Sequence, residues 1–367
     1  PMAARSRTMS RPLNFSPGPA TLPLPVLEEV RDELVDYQGT GISMLEHSHR
    51  GKAFVAVQEK TTALLEELVG CKDTHQVLFL GSGATGQFAM VPMGLLQGGK
   101  ADYVDTGAWS VKAFKAAAFY GEPRWAGTGK EGDKYVRAPM DLDLDGDAKY
   151  VHLTSNATIR GVQYHEFPDV GGKPIVADMS SDMLHKPIDP AKFGVIYAGA
   201  QKNLGPAGVT VAIVRKDVLA QMSEKVPDIY NYQAIAAKDS ALNTPPAFPI
   251  YVMGKVLEWL KAQGGPKAMG ELNAKKGELL YGVVDEFADF FRCPVEKGSR
   301  SIMNAVFNLP SEDLEKKFIA DAAEAGMLNL KGHRSVGGIR VSMYNAMPVA
   351  GVEKLCGFMR EFQKANG

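Results

Sequence analysis

Residues 194–214 read GVIYAGAQKNLGPAGVTVAIV. An apolar run ends at Ala198, a Gly/Pro-rich loop carries a single amine, Lys202, and a second apolar run begins at Val209. Short β-branched runs bounded by Gly or Pro read as buried strands. The lysine therefore stands at the mouth of a buried sheet. Two readings compete for it: the first residue of a solvated turn, or an amine held against a ligand in a crevice.

Outward from this stretch the same texture recurs. QVLFL (76–80), ADYV (101–104), KYVHL (149–153) and KPIVAD (173–178) are further short apolar runs, and helical or loop segments separate several of them. That alternation predicts an α/β fold whose large domain has a mostly parallel sheet flanked by helices. Upstream, Val26, Leu27, Val30, Leu34 and Val35 recur at helical spacing over 23–37, and Phe54, Val57, Leu64, Leu65 and Leu68 form a second helix stopped by Gly70. After an irregular stretch over 225–250, two helices are expected at about 251–263 and onward to about 286. From Ser301 the pattern restarts as strand, helix, strand, helix: SIMNAVFNL, the helix of Leu314 to Ala322 stopped by Gly326, GIRVSMY, and a last helix lined by Val352, Leu355, Met359 and Phe362. We expect a large domain over 14–263 and a smaller C-terminal α+β domain over 264–367. Residues 1–13, with Pro1 and several arginines, read as a cloning remnant and short flexible leader.

Totals restrict the function. With 41 Lys+Arg against 42 Asp+Glu, the net charge of −1 advertises no nucleic-acid or membrane partner. Cys71, Cys293 and Cys356 are odd in number and far apart, which predicts neither a disulfide framework nor a zinc site and fits a reducing compartment, with cytoplasmic as the default. No apolar stretch approaches the roughly 20 residues that span a bilayer.

Three loops at strand ends carry chemistry. GSGATGQF (81–88) follows the strand QVLFL, and its small residues, leading into a helix N-terminus, suit a phosphate. Gly81, Gly83 and Gly86 also spell G-x-G-x-x-G, with Asp105 19 residues after Gly86, so a dinucleotide stays open at this point. Asp178 ends an otherwise apolar strand, where ligands bind outside the carboxyl ends of α/β sheets; a cap on the next turn is the plainer reading. Lys202 lies 24 residues beyond Asp178, past the next strand. A phosphate loop, a carboxylate and a lysine around one crevice are three parts of a pyridoxal phosphate site: the lysine for the Schiff base, the acid for the pyridinium nitrogen, the loop for the phosphate. A nicotinamide site has no use for that lysine, and about 75 residues precede a motif that usually opens its domain.

AGAQKNLGPAG closely resembles the lysine motif of the phosphoserine aminotransferase family, class V enzymes of fold type I that depend on pyridoxal phosphate. NFSPGPATLP (14–23), SHRGKAF (48–54), GQF with the later VP (86–92), ADYVDTGAW (101–109), NTPP (243–246), KGHRSVGG (331–338) and YNAMP (344–348) are similar to further signatures of that family, in its order and over nearly the whole chain from Asn14. Two stretches depart from the usual pattern. Where the family commonly reads G-G-G-x-G-Q-F, this chain has Ser82 and Ala84 for the first and third glycines, with Thr85 at the variable position, and where it reads N-E-T-I-x-G this chain has Ala157 for the acid.

The resemblance implies a set of roles. Lys202 would be the Schiff-base lysine and the base that moves the α-proton, and Asp178 would keep the pyridine nitrogen protonated. Trp109 would stack on the ring, Thr158 would bond near the ring oxygen, and Ala84, Thr85 and Gln201 would hold the phosphate. Asn243 and Thr244 would reach that phosphate from the other subunit of an obligate homodimer. His49 with Arg50 and His333 with Arg334 would meet the substrate phosphate or the distal carboxylate of glutamate, anions that suit arginine's planar fork. Arg340 would take the α-carboxylate. The implied reaction is ping-pong amino transfer between L-glutamate and 3-phosphohydroxypyruvate, and the phosphohydroxythreonine pair of vitamin B6 synthesis stays open. The alternatives are a class V enzyme for unphosphorylated keto acids, a desulfurase, and a nicotinamide- or phosphate-binding protein built on Gly81–Gly86.

Overall fold

A computed structural model describes residues 11–367. Its centre is a seven-stranded sheet of β1 (His75–Leu80), β2 (Lys100–Asp105), β3 (Glu122–Thr128), β4 (Val151–Thr154), β5 (Ile175–Asp178), β6 (Phe193–Gly199) and β7 (Thr210–Arg215). The order across the sheet is β1-β7-β6-β5-β4-β2-β3. Six strands run parallel, and β7, between β1 and β6, runs antiparallel to both. An antiparallel neighbour permits a short return where a parallel one demands a long crossover. The loop carrying Lys202 is therefore the tight link from β6 to β7.

Both faces of the sheet are covered, so its strands alternate between two apolar cores rather than between core and water. In β1, Val77 and Phe79 enter one core and Leu78 and Leu80 the other; in β6, Ile196 and Ala198 oppose Val195 and Tyr197. The first face is covered by helices α1 (Leu24–Asp32), α2 (Lys52–Val69) and α5 (Ala247–Ala262), the second by α3 (Gly83–Leu95) and α4 (Ala108–Ala117). The stop at the end of α2 is as the sequence predicts: Gly70 adopts φ +75°, and its N–H donates to Glu66 O.

Two elements differ from the sequence reading. The helix expected over 23–37 ends at Asp32, and Leu34 and Val35 face solvent, Val35 at 80% exposure. Their helical spacing reflects an apolar surface, not a buried stripe. The edge strand β3 (EPRWAGT) escapes the apolar-run criterion because it holds Pro123 and Gly127 and is largely uncovered.

The C-terminal elements form their own core. Helix α6 (Gly265–Glu286), strand β8 (Asn304–Phe307), α7 (Glu312–Glu324), β9 (Ile339–Ser342) and α8 (Val349–Asn366) enclose Phe291, Phe307, Phe318, Val341, Leu355 and Phe362. β8 and β9 pair antiparallel, with Val306 opposite Arg340. The expected leader of 1–13 lies outside the described residues through residue 10. Leu13–Asn14, at its end, forms a strand parallel to Met327–Leu328, and Phe15 is buried in this C-terminal core.

Polar side chains join the two cores. Asn203 Oδ1 accepts from Asn345 N at 2.9 Å, and Asn273 Nδ2 donates to Asn345 Oδ1 and to His185 O. Lys276, 1% exposed, donates to the carbonyls of Met343, Tyr344 and Met347. Burial pulls its pKa down to about 7, whereas three carbonyl oxygens favour the ammonium. Lys276→Met would strand those carbonyls, so we expect it to cost roughly 3 kcal/mol, since a buried unsatisfied group costs about 1–3 kcal/mol. A urea midpoint equal to that of the wild type would contradict this.

Candidate active site

Three parallel strands deliver the site. In register, Asp178 at the end of β5 lies beside Thr154 of β4 and Tyr197 of β6. Its carboxylate is 6% exposed, and Oδ1 accepts from the backbone N–H of Ser180 at 3.0 Å and its hydroxyl at 2.6 Å. Oδ2 has no hydrogen-bond donor among the described residues, which leaves one carboxylate oxygen for a ligand.

Lys202 lies just past β6. Leu204 N and Gly205 N both donate to Ala200 O, closing a turn that aims the side chain back over the strand ends. Its Nζ donates to Thr158 Oγ1 at 2.6 Å and stands 5.5 Å from the Trp109 ring centroid. Burial lowers its pKa to about 8; Asp178 pulls it up, and Arg340 pushes it down. A lowered pKa means that the neutral, nucleophilic amine accumulates as pH rises through about 8, not through the ordinary 10.5. In cofactor-free protein, acylation of Lys202 by a small anhydride, with release of its carboxylate, should therefore show a midpoint near pH 8. A midpoint near that of the exposed lysines would contradict this placement.

Arg340, on β9, reaches the same place from the C-terminal core. It is 7% exposed, its Nη1 lies 3.5 Å from Thr158 O, and its buried Nε has no partner. Trp109 sits in the first turn of α4, and its buried Nε1 is likewise unpartnered. Lys202, Asp178, Thr158, Trp109 and Arg340 thus share one cleft, with polar atoms still unpaired. Gln201 adjoins Lys202, its carbonyl accepting from Ala20 N at 2.9 Å.

Gly81 and Ser82 lead into α3, whose first turn holds Ala84 and Thr85. A Cβ on Gly86 would sit 2.5 Å from Ser82 Oγ, so the glycine allows the turn to close. Asn243 and Thr244 of this chain line a cavity of about 280 Å³ with Gly81 and Ser82. Asp105, the acid a dinucleotide fingerprint would need, is already engaged. Its oxygens accept from Gly107 N, Ser110 Oγ, Thr128 Oγ1 and Tyr135 OH, which turns the glycine loop away from that reading. His333 lies in the loop before β9, where its Nδ1 and Ser335 Oγ are 2.8 Å apart. His49 and the exposed Arg50 stand at the turn before α2, and no hydrogen bond or ion pair joins them to the lysine cleft among the described residues.

A family model described as class V aminotransferase matches residues 13–355. The chain belongs to the class V aminotransferase family. It is 51% identical over 356 residues to the phosphoserine aminotransferase of Desulfatibacillum aliphaticivorans, covering 96% of this chain and 98% of the relative. Among solved structures, phosphoserine aminotransferase from Bacillus circulans subsp. alkalophilus superimposes with a TM-score of 0.94 at 45% identity, covering 98% of this chain and 100% of the other. Pyridoxal-phosphate-bound phosphoserine aminotransferase from Trichomonas vaginalis gives 0.90 at 34% identity, covering 95% and 100%.

In this class V aminotransferase, several cleft residues escape sequence reasoning. Ser180 fixes the Asp178 carboxylate, and Asp182, fully buried, accepts from Ser155 Oγ and Gln163 Nε2. Burial raises the Asp182 pKa to about 7. The run DMSSD (178–182), dense in polar residues straight after a buried strand, is the signal that could have found them. His152, buried in β4, has Nε2 2.7 Å from Tyr197 OH and is driven to a pKa of about 3 by burial. Nothing in its apolar flanks marks it.

Proposed function

We propose that the protein catalyses reversible amino transfer between L-glutamate and 3-phosphohydroxypyruvate, yielding 2-oxoglutarate and O-phospho-L-serine. Its cofactor is pyridoxal 5′-phosphate. The residues present fit that group: an open carboxylate oxygen on Asp178, unpartnered buried donors on Trp109 and Arg340, and a glycine turn at the start of α3. The observation that carries the reading is Lys202, an amine of lowered pKa held 2.6 Å from Thr158 in a cleft shared with Asp178 and Arg340. Bound there, the cofactor supplies a carbonyl that condenses with amines and a ring that accepts electrons.

The chain's own residues do the rest. Asp178 would keep the ring nitrogen protonated, and Ser180 holds one oxygen of that carboxylate still. Trp109 gives the ring a flat wall. Ala84, Thr85 and Gln201 hold the cofactor phosphate, and the positive end of α3 favours it. Arg340 takes the α-carboxylate of the amino acid, which turns the Cα proton toward Lys202. Lys202 Nζ then takes that proton as general base and returns it as general acid, a task suited to a pKa near working pH.

Further assignments complete the proposal. The chain works as a homodimer in which Asn243 and Thr244 reach the partner's cofactor; the exposed Ile229 and Tyr230, which line one cavity with them, support an interface there. His49 with Arg50, and His333 with Arg334, meet the substrate's distal anion. The separate core of the C-terminal elements supports a division into a cofactor domain over 14–263 and a smaller domain over 264–367. Three free cysteines suit a reducing, cytoplasmic setting. No helix among the described residues is long and apolar enough to cross a membrane.

The test is a visible spectrum of the protein loaded with pyridoxal phosphate. L-glutamate should bleach the band and 3-phosphohydroxypyruvate restore it, with an unphosphorylated keto acid acting poorly. No spectral response to L-glutamate would overturn the proposal.

A further inference from the structure

The turn that presents Thr158 to Lys202 also presents Arg160. Arg160 N and Gly161 N both donate to Ala157 O, at 3.0 and 2.9 Å. Gly161 adopts φ +70° and packs so closely on β8 that a Cβ there would lie 2.7 Å from Val306 Cγ2. The turn is therefore wedged between the two cores and holds Arg160 in a fixed place. The Arg160 stem lies against Gly107, where an added Cβ would sit 3.2 Å from Arg160 Cγ, and its guanidinium stands 5.2 Å from the Tyr135 ring centroid.

This cation has no acidic partner. The Arg160 side chain makes no hydrogen bond or ion pair among the described residues, and its buried Nε is unsatisfied. Asp105, the acid that Tyr135 holds, already accepts four hydrogen bonds, and the same turn offers Ala157 and no acid. Beyond Asp105, and Asp178 and Asp182 beside Lys202, the other charges nearby are cations. Lys112 stands 4.5 Å over Trp109, Lys202 5.5 Å over the same ring, and Arg340 meets Thr158 O. His333 and Arg334 face them from the C-terminal core: burial, Arg340, Arg334, Arg160 and Lys112 together depress the basicity of the His333 ring. Cations that outnumber the acids around them repel one another, and an incoming anion relieves that repulsion.

We propose that Arg160 is a specificity-determining residue that binds the phosphate of the phosphorylated substrate, in addition to His49, Arg50, His333 and Arg334. The inference rests on the aminotransferase reading above and deepens it. A guanidinium fork matches phosphate oxygens in pairs, and a dianion gains more from an added cation than the single charge of a carboxylate does. Arg160 thus favours the phosphorylated partner over glutamate at a shared subsite.

The experiment titrates the cofactor-loaded protein separately with O-phospho-L-serine and L-glutamate, reading dissociation constants from the visible absorption change. Arg160→Gln should weaken O-phospho-L-serine by about tenfold and L-glutamate by less than about threefold, as loss of one charge-assisted contact predicts. Arg160→Lys keeps the charge and loses the fork, so it should weaken O-phospho-L-serine by about threefold with little change for L-glutamate. It carries the same test if the Gln variant does not fold. Equal losses for both ligands, or none for either, would overturn the proposal. Wild-type protein that responds to neither ligand would instead overturn the aminotransferase reading beneath it.

Discussion

Lys202→Ala should abolish amino transfer, lowering the single-turnover rate with L-glutamate by at least about 10³-fold, because one group supplies both the covalent anchor and the proton carrier. The next amine at the Trp109 ring, Lys112, is exposed and makes no bond to Thr158, so it cannot stand in. Loss of the amine should also relieve desolvation in the cleft, so the variant should melt no lower than the wild type. The measurement is stopped-flow absorbance on cofactor-loaded protein. A residual rate within tenfold of wild type would remove Lys202 from the mechanism.

Asp178→Asn should be the next most damaging change. The substitution preserves shape and leaves an oxygen for the two Ser180 donors, so the fold should tolerate it. It replaces Oδ2 with an N–H₂ group, which sets a donor against the donor of a protonated ring nitrogen and removes the charge that keeps that nitrogen protonated. Losing one preorganised electrostatic partner costs roughly 10²–10³-fold in rate, and the cofactor should also dialyse away faster. Turnover within fivefold of wild type, with cofactor retained, would show that Asp178 has another task.

Much of this was legible in the sequence because buried parallel strands leave a simple trace. QVLFL, ADYV, KPIVAD, GVIYA and VTVAIV all became sheet strands within a few residues, since strands covered on both faces need apolar side chains throughout. Strand ends were legible for the same reason: a charge closing such a run, as Asp178 does, stands out. The edge strand β3 was not, because an edge meets water and tolerates Pro123 and Gly127. The site was readable residue by residue along the chain, but not across it. That Thr158 and Arg340 touch, from either side of the cleft, depends on β8–β9 packing against the 157–161 turn, a contact 182 residues apart in sequence. Asp182 and Asn345 were hidden likewise, since their partners are set by tertiary approach and not by spacing.

The segment from Leu13 to Ala20 has a consequence for biogenesis. It pairs with Met327–Leu328, buries Phe15 among C-terminal residues, receives Tyr344 OH on Pro17 O, and donates from Ala20 N to Gln201 O beside the lysine. During synthesis this stretch leaves the ribosome before its strand partners Met327 and Leu328, which emerge more than 300 residues later. At about 5–20 residues per second, it waits on the order of tens of seconds with an apolar phenylalanine and a lone strand edge unprotected. The segment that gives the lysine loop its Ala20 contact is thus pinned only once Met327 to Tyr344 have been made, so competence to bind ligand should follow their synthesis.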